Sequence, residues 1–312
     1  MSRCTADRER HEGLVTSLPA NPRTAGLGPH TVNRTGFGAM QLSGPGVFGP
    51  PADPAAARAV LRRAVALGVD HIDTAQFYGP DVVNELIRDA LYPYPAGLRL
   101  VSKIGAIRDR GGGVLPAARP DQLRAAVEAN LRTLRTDSLA LVNLRLMAPE
   151  ARGGIPLAEQ LAELAALRDE GKIESIGLSN ATVDEVTSAL EMVDLGEVQN
   201  AYNILLRGDE DVLRLCADRG IAYVPFFPIG SPFTGGPRPL AENPTISSVA
   251  TKHNATPVQI ALAWLLYIDE HILLIPGTSS MAHLEQNMAA AGIALDDEDR
   301  AALDRVAARP HS

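Results

Sequence analysis

Two short stretches, Asp73-Thr74-Ala75-Gln76-Phe77-Tyr78-Gly79 and Val101-Ser102-Lys103, bring a carboxylate, a phenol and an amine together in the 312-residue chain. Both stretches end predicted strands, and in a barrel of alternating strands and helices the C-terminal strand ends form the rim where reacting groups gather. A tyrosine beside a lysine is a serviceable proton donor, because a nearby cation lowers the cost of forming phenolate. Taken singly, Asp73 reads as a structural carboxylate, Tyr78 as loop packing and Lys103 as a surface amine. Set on adjacent strand ends, the three read as a catalytic group.

The elements that must position them follow from punctuation and periodicity. Gly68, Gly171, Gly196 and Gly220 each follow a helical pattern and precede a short apolar run, the sign of a helix closed by a left-handed residue before the chain enters a sheet. Candidate strands lie near 35–40, 69–73, 98–103, 139–144, 173–178, 197–200, 221–226 and 272–276. Helical patterns fall near 53–67, 81–91, 120–134, 156–170, 182–192, 209–219, 256–267 and 281–291. Nearly unbroken apolar strands alternating with helices indicate a parallel sheet covered by helices. Eight pairs predict an α/β fold, a closed (β/α)8 TIM barrel, as a single domain over residues 25–312. No Gly-x-Gly-x-x-Gly follows the first strand, which weakens a doubly wound dinucleotide fold. Asp53-Pro54, Pro120-Asp121 and Thr256-Pro257 read as helix starts. Residues 27–34 suit a short hairpin plugging the barrel floor, and residues 1–24 a flexible N-terminal extension. Arg110–Pro120 and Gly230–Pro244 lack periodicity and follow strand ends, so they are expected as loops at the mouth.

Bulk properties narrow the function. With 46% hydrophobic residues a sizeable core can be buried, and a formal charge of −8 argues against nucleic acid or an anionic membrane as the main partner. No apolar run nears the length of a bilayer span, and the first residues lack a secretory pattern, so a soluble cytoplasmic protein is expected. Of the two cysteines, Cys4 falls in the extension and Cys216 on an apolar helix face, which favours a core thiol over a nucleophile or a disulfide. His71 shares its strand face with Asp73 by alternation, and a core role is expected for it. His11, His253 and His271 form no ligand pattern with acids or cysteines, and no metal is expected.

The chain resembles the aldo-keto reductase family. The likeness runs from about residue 27 to 305 and rests on Gly36-Phe37-Gly38-Ala39-Met40-Gln41-Leu42, the Asp73–Gly79 segment, Ser102-Lys103, Gly177-Leu178-Ser179-Asn180, Val198-Gln199-Asn200 and Ile275-Pro276-Gly277-Thr278. Gly46-Val47-Phe48-Gly49-Pro50, Val142-Asn143-Leu144-Arg145 and Tyr223-Val224-Pro225-Phe226-Phe227-Pro228 look like the bacterial branch that contains pyridoxal reductases. The resemblance implies reversible carbonyl reduction by hydride from a nicotinamide, without a metal. It makes Tyr78 the general acid, Lys103 the cation that tunes it and Asp73 the anchor of Lys103. The family's usual histidine at the fourth position is Arg145 here. Arginine does not relay protons at working pH, but its fork of donors polarises a carbonyl and stabilises a developing alkoxide. A strand-end salt bridge is the plainer alternative for Arg145.

Ser179 and Asn180 on local grounds are capping residues. The resemblance gives them, with Gln199, the nicotinamide carboxamide, and sets Phe226 against the ring. Gly277, Thr278, Ser279, His283, Gln286 and Asn287 occupy the eighth strand–helix junction, where such barrels bind phosphate. The family often has a lysine and an arginine there, and this chain has Gly277 and His283, so NADPH is expected over NADH mostly by resemblance. The expected activity is an NADPH-dependent aldehyde reductase acting on a small-molecule aldehyde or ketone, with pyridoxal to pyridoxine as the best substrate. A natural-product or sugar carbonyl is the nearest alternative, and a nicotinamide-sensing, partner-binding barrel with little turnover comes from another class. A monomer is expected.

Overall fold

Seven parallel strands lie side by side in the structure, a computed structural model that describes residues 23–148, 151, 153–233 and 235–306. In chain order the strands are β1 (Thr24–Leu27), β2 (His30–Asn33), β3 (Phe37–Gly38), β4 (His71–Asp73), β5 (Arg99–Ile104), β6 (Ala106–Arg108), β7 (Val114–Pro116), β8 (Leu141–Arg145), β9 (Ile176–Ser179), β10 (Leu195–Gln199) and β11 (Ala222–Tyr223). The large sheet runs β11-β10-β9-β8-β5-β4-β3, every pairing parallel. Residues 272–274 close it: Ile272 bridges to Tyr223 and Leu274 to Thr35. Four backbone bonds stitch the seam, from Tyr223 to His271, Leu273 to Tyr223, Leu274 to Arg34 and Gly36 to Leu274. The eighth stave is thus a run of bridges, not a full strand, and the predicted (β/α)8 barrel is a ring with one short seam.

The predicted hairpin is present as β1 and β2, paired antiparallel from Thr24↔Asn33 to Leu27↔His30. Thr24 therefore belongs to the first strand, one residue inside the expected extension, and residues 1–22 lie outside the described residues. Leu27 and Val32 plug the floor, packing with Val101, Leu141, Ala222, Val224, Leu273 and Ile275. Each such buried aliphatic contributes about 1.5–3 kcal/mol. The hairpin seats closely on the sheet. A Cβ on Gly196 would fall 2.3 Å from Ser175 Oγ and 2.9 Å from Gly28 Cα. Here the sequence expectation needs correcting, since Gly68, Gly171 and Gly220 have positive φ but Gly196 does not. Gly196 sits inside β10 and is small because the floor hairpin presses on it.

Helices α1 (Pro54–Ala66), α2 (Val82–Leu91), α3 (Pro120–Leu134), α4 (Leu157–Asp169), α5 (Val183–Leu190), α6 (Glu210–Arg219), α7 (Arg238–Glu242), α8 (Pro244–Lys252), α9 (Pro257–Ile268), α10 (Met281–Ala289) and α11 (Asp297–Asp304) complete the chain order. Asp53 caps α1 by accepting from the Ala55 and Ala56 amides, and Thr256 caps α9 through the Gln259 amide, each with proline in the first turn. The stretch expected as a loop from Arg110 contains β7, which pairs antiparallel with β6. A strand of three residues is too short to show alternation. Residues 230–244 contain α7, a single turn and a half between Pro237 and Asn243. Cys216 is wholly buried on α6, where burial first, then Asp209 and Asp269, push its thiol up to about 12, as a core thiol requires. No helix among the described residues is long and apolar enough to cross a membrane.

Candidate active site

Tyr78 is held by a turn that backbone bonds fix on both sides. The Tyr78 amide donates to Ala75, the Gly79 amide to Val47 and the Gly49 amide back to Gly79, so the loop after β3 is zipped to the loop after β4. Gly79, with φ +93°, allows the reversal, and the Phe77 ring meets Tyr78 edge-on at 5.3 Å. On the helix side of the sheet a second network pins the strand ends. Thr74 donates to Asn84, Asn84 to Asn130 and Thr133, and Ser102 to Asn130, all buried. Alternation turns Ser102 outward to this network and Lys103 inward to the barrel.

Inside the mouth, the Lys103 ammonium donates to Asp73 and, at 3.3 Å, to the Thr74 carbonyl, and lies 5.2 Å from the centre of the Tyr78 ring. Burial opposes the charge on Lys103, yet Asp73 and the Tyr78 hydroxyl outweigh it and hold its pKa above the ordinary lysine value. Gln199 Nε2 donates to the other Asp73 oxygen at 3.1 Å and to Glu197 at 3.4 Å, and Asn143 donates to Glu197. Asp73, Lys103, Tyr78 and Gln199 all line one cavity of about 550 Å³.

The cavity runs from this cluster to the start of α10. Phe226, Gly277, Thr278, Ser279, His283, Gln286 and Asn287 line it too. Ser280 caps α10 through the His283 amide and donates its own amide to Thr278 Oγ1. Gly38 and Gly277 allow the first and eighth staves to touch: a Cβ on either would lie 2.5 Å from a backbone oxygen opposite. Three predicted residues stand apart from the cavity wall. Arg145 ends β8 with Leu141 and Asn143 on the same inward face, half-buried, and among the described residues no carboxylate pairs with it. The salt bridge that was the plain alternative is therefore missing among those residues. Burial lowers its pKa, with Tyr78 acting against that shift. Ser179 is fully buried with its hydroxyl unpartnered. Asn180, at φ +62°, is exposed and spends its amide nitrogen on the Leu146 carbonyl.

Several wall residues escaped the sequence reading. Met40 and Gln41, within the Gly36–Leu42 motif, and Phe227 and Pro228, beside Phe226, carried the resemblance but were given no site role, and Ile229 and Pro232 were not singled out. Phe227 has φ +56°, and Val47, Asp81 and Asn180 share that sign around the rim, a concentration of backbone strain typical of sites. Glu197 was also missed, although an acid in the middle of an apolar strand was a visible signal. His71, placed on the Asp73 side by alternation, packs its ring where a Cβ on Gly36 would stand and takes no part in the cavity. Among the described residues no group of three or more His, Cys, Asp or Glu side chains could hold a metal.

Comparison with known proteins places this geometry. The chain is 50% identical to pyridoxine 4-dehydrogenase of Escherichia coli over 282 residues, 90% of this chain and 96% of that protein. It is 39% identical to an uncharacterized oxidoreductase of Schizosaccharomyces pombe over 90% of this chain and 89% of that one. The fold superposes with a TM-score of 0.76 on an aldo/keto reductase of Klebsiella pneumoniae in complex with NADP and acetate, at 28% identity, covering 93% of this chain and 97% of that one. The aldo/keto reductase family model matches residues 34–308, spanning every stave of the ring and both halves of the cavity. By that match the chain is a member of the aldo/keto reductase family.

Proposed function

We propose that this oxidoreductase reduces an aldehyde to its alcohol, reversibly, with NADPH, and that pyridoxal and pyridoxine are its substrate pair. The observation that carries the reading is the meeting of Tyr78, Lys103 and Asp73 at the inner end of the cavity. The 50% identity with the E. coli pyridoxine 4-dehydrogenase supports the substrate, and the NADP complex of the Klebsiella relative supports the cofactor.

The residues present fit a nicotinamide nucleotide. Gln199 Oε1 and Ser179 Oγ are buried polar atoms without partners, suited to a carboxamide. Asn180 has its amide oxygen left to accept, and Phe226 offers an aromatic face at the wall. Gly277, Thr278, Ser279 and the start of α10 offer small side chains, hydroxyls and backbone N–H groups to phosphate, with His283, Gln286 and Asn287 beyond. Among the described residues no lysine or arginine lines that end, so any 2′-phosphate is held by these neutral donors and His283.

When bound, the cofactor supplies hydride to the carbonyl carbon. Tyr78 gives its phenolic proton to the carbonyl oxygen. The Lys103 ammonium stabilises the phenolate that remains, and Asp73 keeps Lys103 in place. Arg145, a second cation that interacts with Tyr78, favours negative charge at that end of the site without moving a proton. Phe227, Pro228 and Ile229 give the cavity an apolar wall beside the proposed ring site.

The test follows NADPH absorbance with pyridoxal, pyridoxal phosphate and a panel of neutral aldehydes. Pyridoxal is expected to give the highest kcat/KM, with NADPH preferred to NADH at equal aldehyde. Arg145→Met is expected to lower kcat strongly with little change in cofactor affinity, and an unchanged kcat would remove Arg145 from the reaction. Tight NADPH binding with no oxidation across the panel would favour a sensing barrel, and preference for a sugar or another aldehyde would redirect the substrate.

A further inference from the structure

Three acids are buried among the described residues: Asp73, Glu197 and Asp299. Asp73 is paired with Lys103, and Asp299 with Lys252 and His253. Glu197 differs. Among the described residues no cation lies within ion-pair distance of it, and its carboxylate accepts only from the amide nitrogens of Asn143 and Gln199. A buried carboxyl held by neutral donors alone changes charge readily, because burial penalises the ionised form.

The surroundings make room for that arrangement. A Cβ on Gly177 would lie 2.2 Å from Asn143 Oδ1 and 3.1 Å from Glu197 Cγ, so the bare backbone of β9 accommodates the amide and the acid. The charged groups facing Glu197 are Asp73 from β4 and Lys103 from β5, while β8 and β9 face it with the neutral Asn143 and Gly177. Burial drives its pKa up to about 7; the Asn143 hydrogen bond opposes, Asp73 adds, and Lys103 and Gln199 oppose. Gln199 connects this acid to the cavity. Its Nε2 is shared between Asp73 and Glu197, and its side chain forms part of the wall against which the carboxamide is proposed to lie.

We propose that Glu197 is a positioning residue whose negative charge, carried behind Gln199, favours the cationic oxidised nicotinamide over the neutral reduced one and so biases the direction of the reaction. The inference rests on the nicotinamide lying against Gln199, as proposed above. A carboxylate attracts a pyridinium across a poorly solvated interior and has no such attraction for the uncharged dihydropyridine. Neutralising Glu197 removes the difference. Reciprocity then requires that binding the oxidised form expels a proton from Glu197.

The experiment measures Kd for NADP⁺ and for NADPH from pH 6 to pH 8.5, by titration calorimetry and by fluorescence. The 2′-phosphate ionises alike in both forms and cancels in the ratio. In the native protein Kd(NADP⁺)/Kd(NADPH) is expected to fall by about three- to tenfold across this range. Glu197→Gln is expected to hold the ratio flat at its acidic value. Asn143→Leu, which takes a donor from the carboxylate, is expected to move the change to higher pH, and attributes it to Glu197 even where Glu197→Gln folds poorly. A flat ratio in the native protein, or a Glu197→Gln ratio with the native slope, overturns the inference alone. Failure of either form to bind the native protein overturns the proposed cofactor and this inference with it.

Discussion

The floor and the mouth of the barrel are built from the same strands with opposite chemistry. Along β8 the inward positions run Leu141, Asn143, Arg145, and along β5 Val101 gives way to Lys103. The lower layer is dry and interlocked with the hairpin through Leu27 and Val32. The layer above holds Asp73, Lys103, Gln199, Glu197 and Asn143, joined by hydrogen bonds. A buried polar layer of this kind seldom adds net stability. The closed floor beneath supplies it, which frees the upper layer to be arranged for chemistry.

Substitutions that separate the two layers sharpen this contrast. Lys103→Met strikes both properties, because it strands the buried Asp73 charge. We expect a loss of about 3–5 kcal/mol in denaturant unfolding, together with loss of reductase activity. Tyr78→Phe removes only the proton, so kcat is expected to fall at least about 100-fold while NADPH binding and the unfolding midpoint stay near native. A fall of less than tenfold would displace Tyr78 as the acid. Leu27→Ala works from the other side. Unfolding free energy is expected to drop by about 2–3 kcal/mol, at the lower end for a buried leucine because the hairpin can resettle, with kcat unchanged. If kcat fell along with stability, the floor and mouth would not be separable.

A last effect is one of pH. Glu197 has a folded pKa of about 7, above the ordinary glutamate value near 4.3 that the unfolded chain carries. Between those values the folded protein binds more protons than the unfolded one, so this group makes stability fall as pH rises from about 4.5 to 7. Glu197→Gln is expected to flatten that fall, read as the unfolding free energy at both ends of the range.

How much of this was legible depended on the length of the signal. The barrel was, because helix stops at Gly68, Gly171 and Gly220 recur and the apolar strands are nearly unbroken. So was the floor hairpin. Asp73, Tyr78 and Lys103 were legible because adjacent parallel strands must bring their ends to one rim. Gly196 was misread because a helix-closing glycine and one cleared for a neighbouring backbone are identical as letters; only the approach of Gly28 tells them apart. The pairing of β6 with β7 and the wall from Phe227 to Pro237 depend on how loops fold back, which no period records. The amide chain through Asn143, Glu197 and Gln199 was hidden for a related reason. It joins three strands whose registers had first to be fixed.

If the proposed nucleotide binds at the start of α10, the seam between the first and last staves ties its occupancy to the integrity of the ring. Residues 272–274 hold the closure, and a few residues on the same segment becomes the Gly277–Ser280 approach to α10. A nucleotide gripping that approach clamps a hoop at its weakest joint, and a guest that binds only the closed ring raises the melting temperature by mass action. Slowed amide exchange at Gly36, Leu273 and Leu274 would be the earliest trace of such a clasp, ahead of any change at Tyr78.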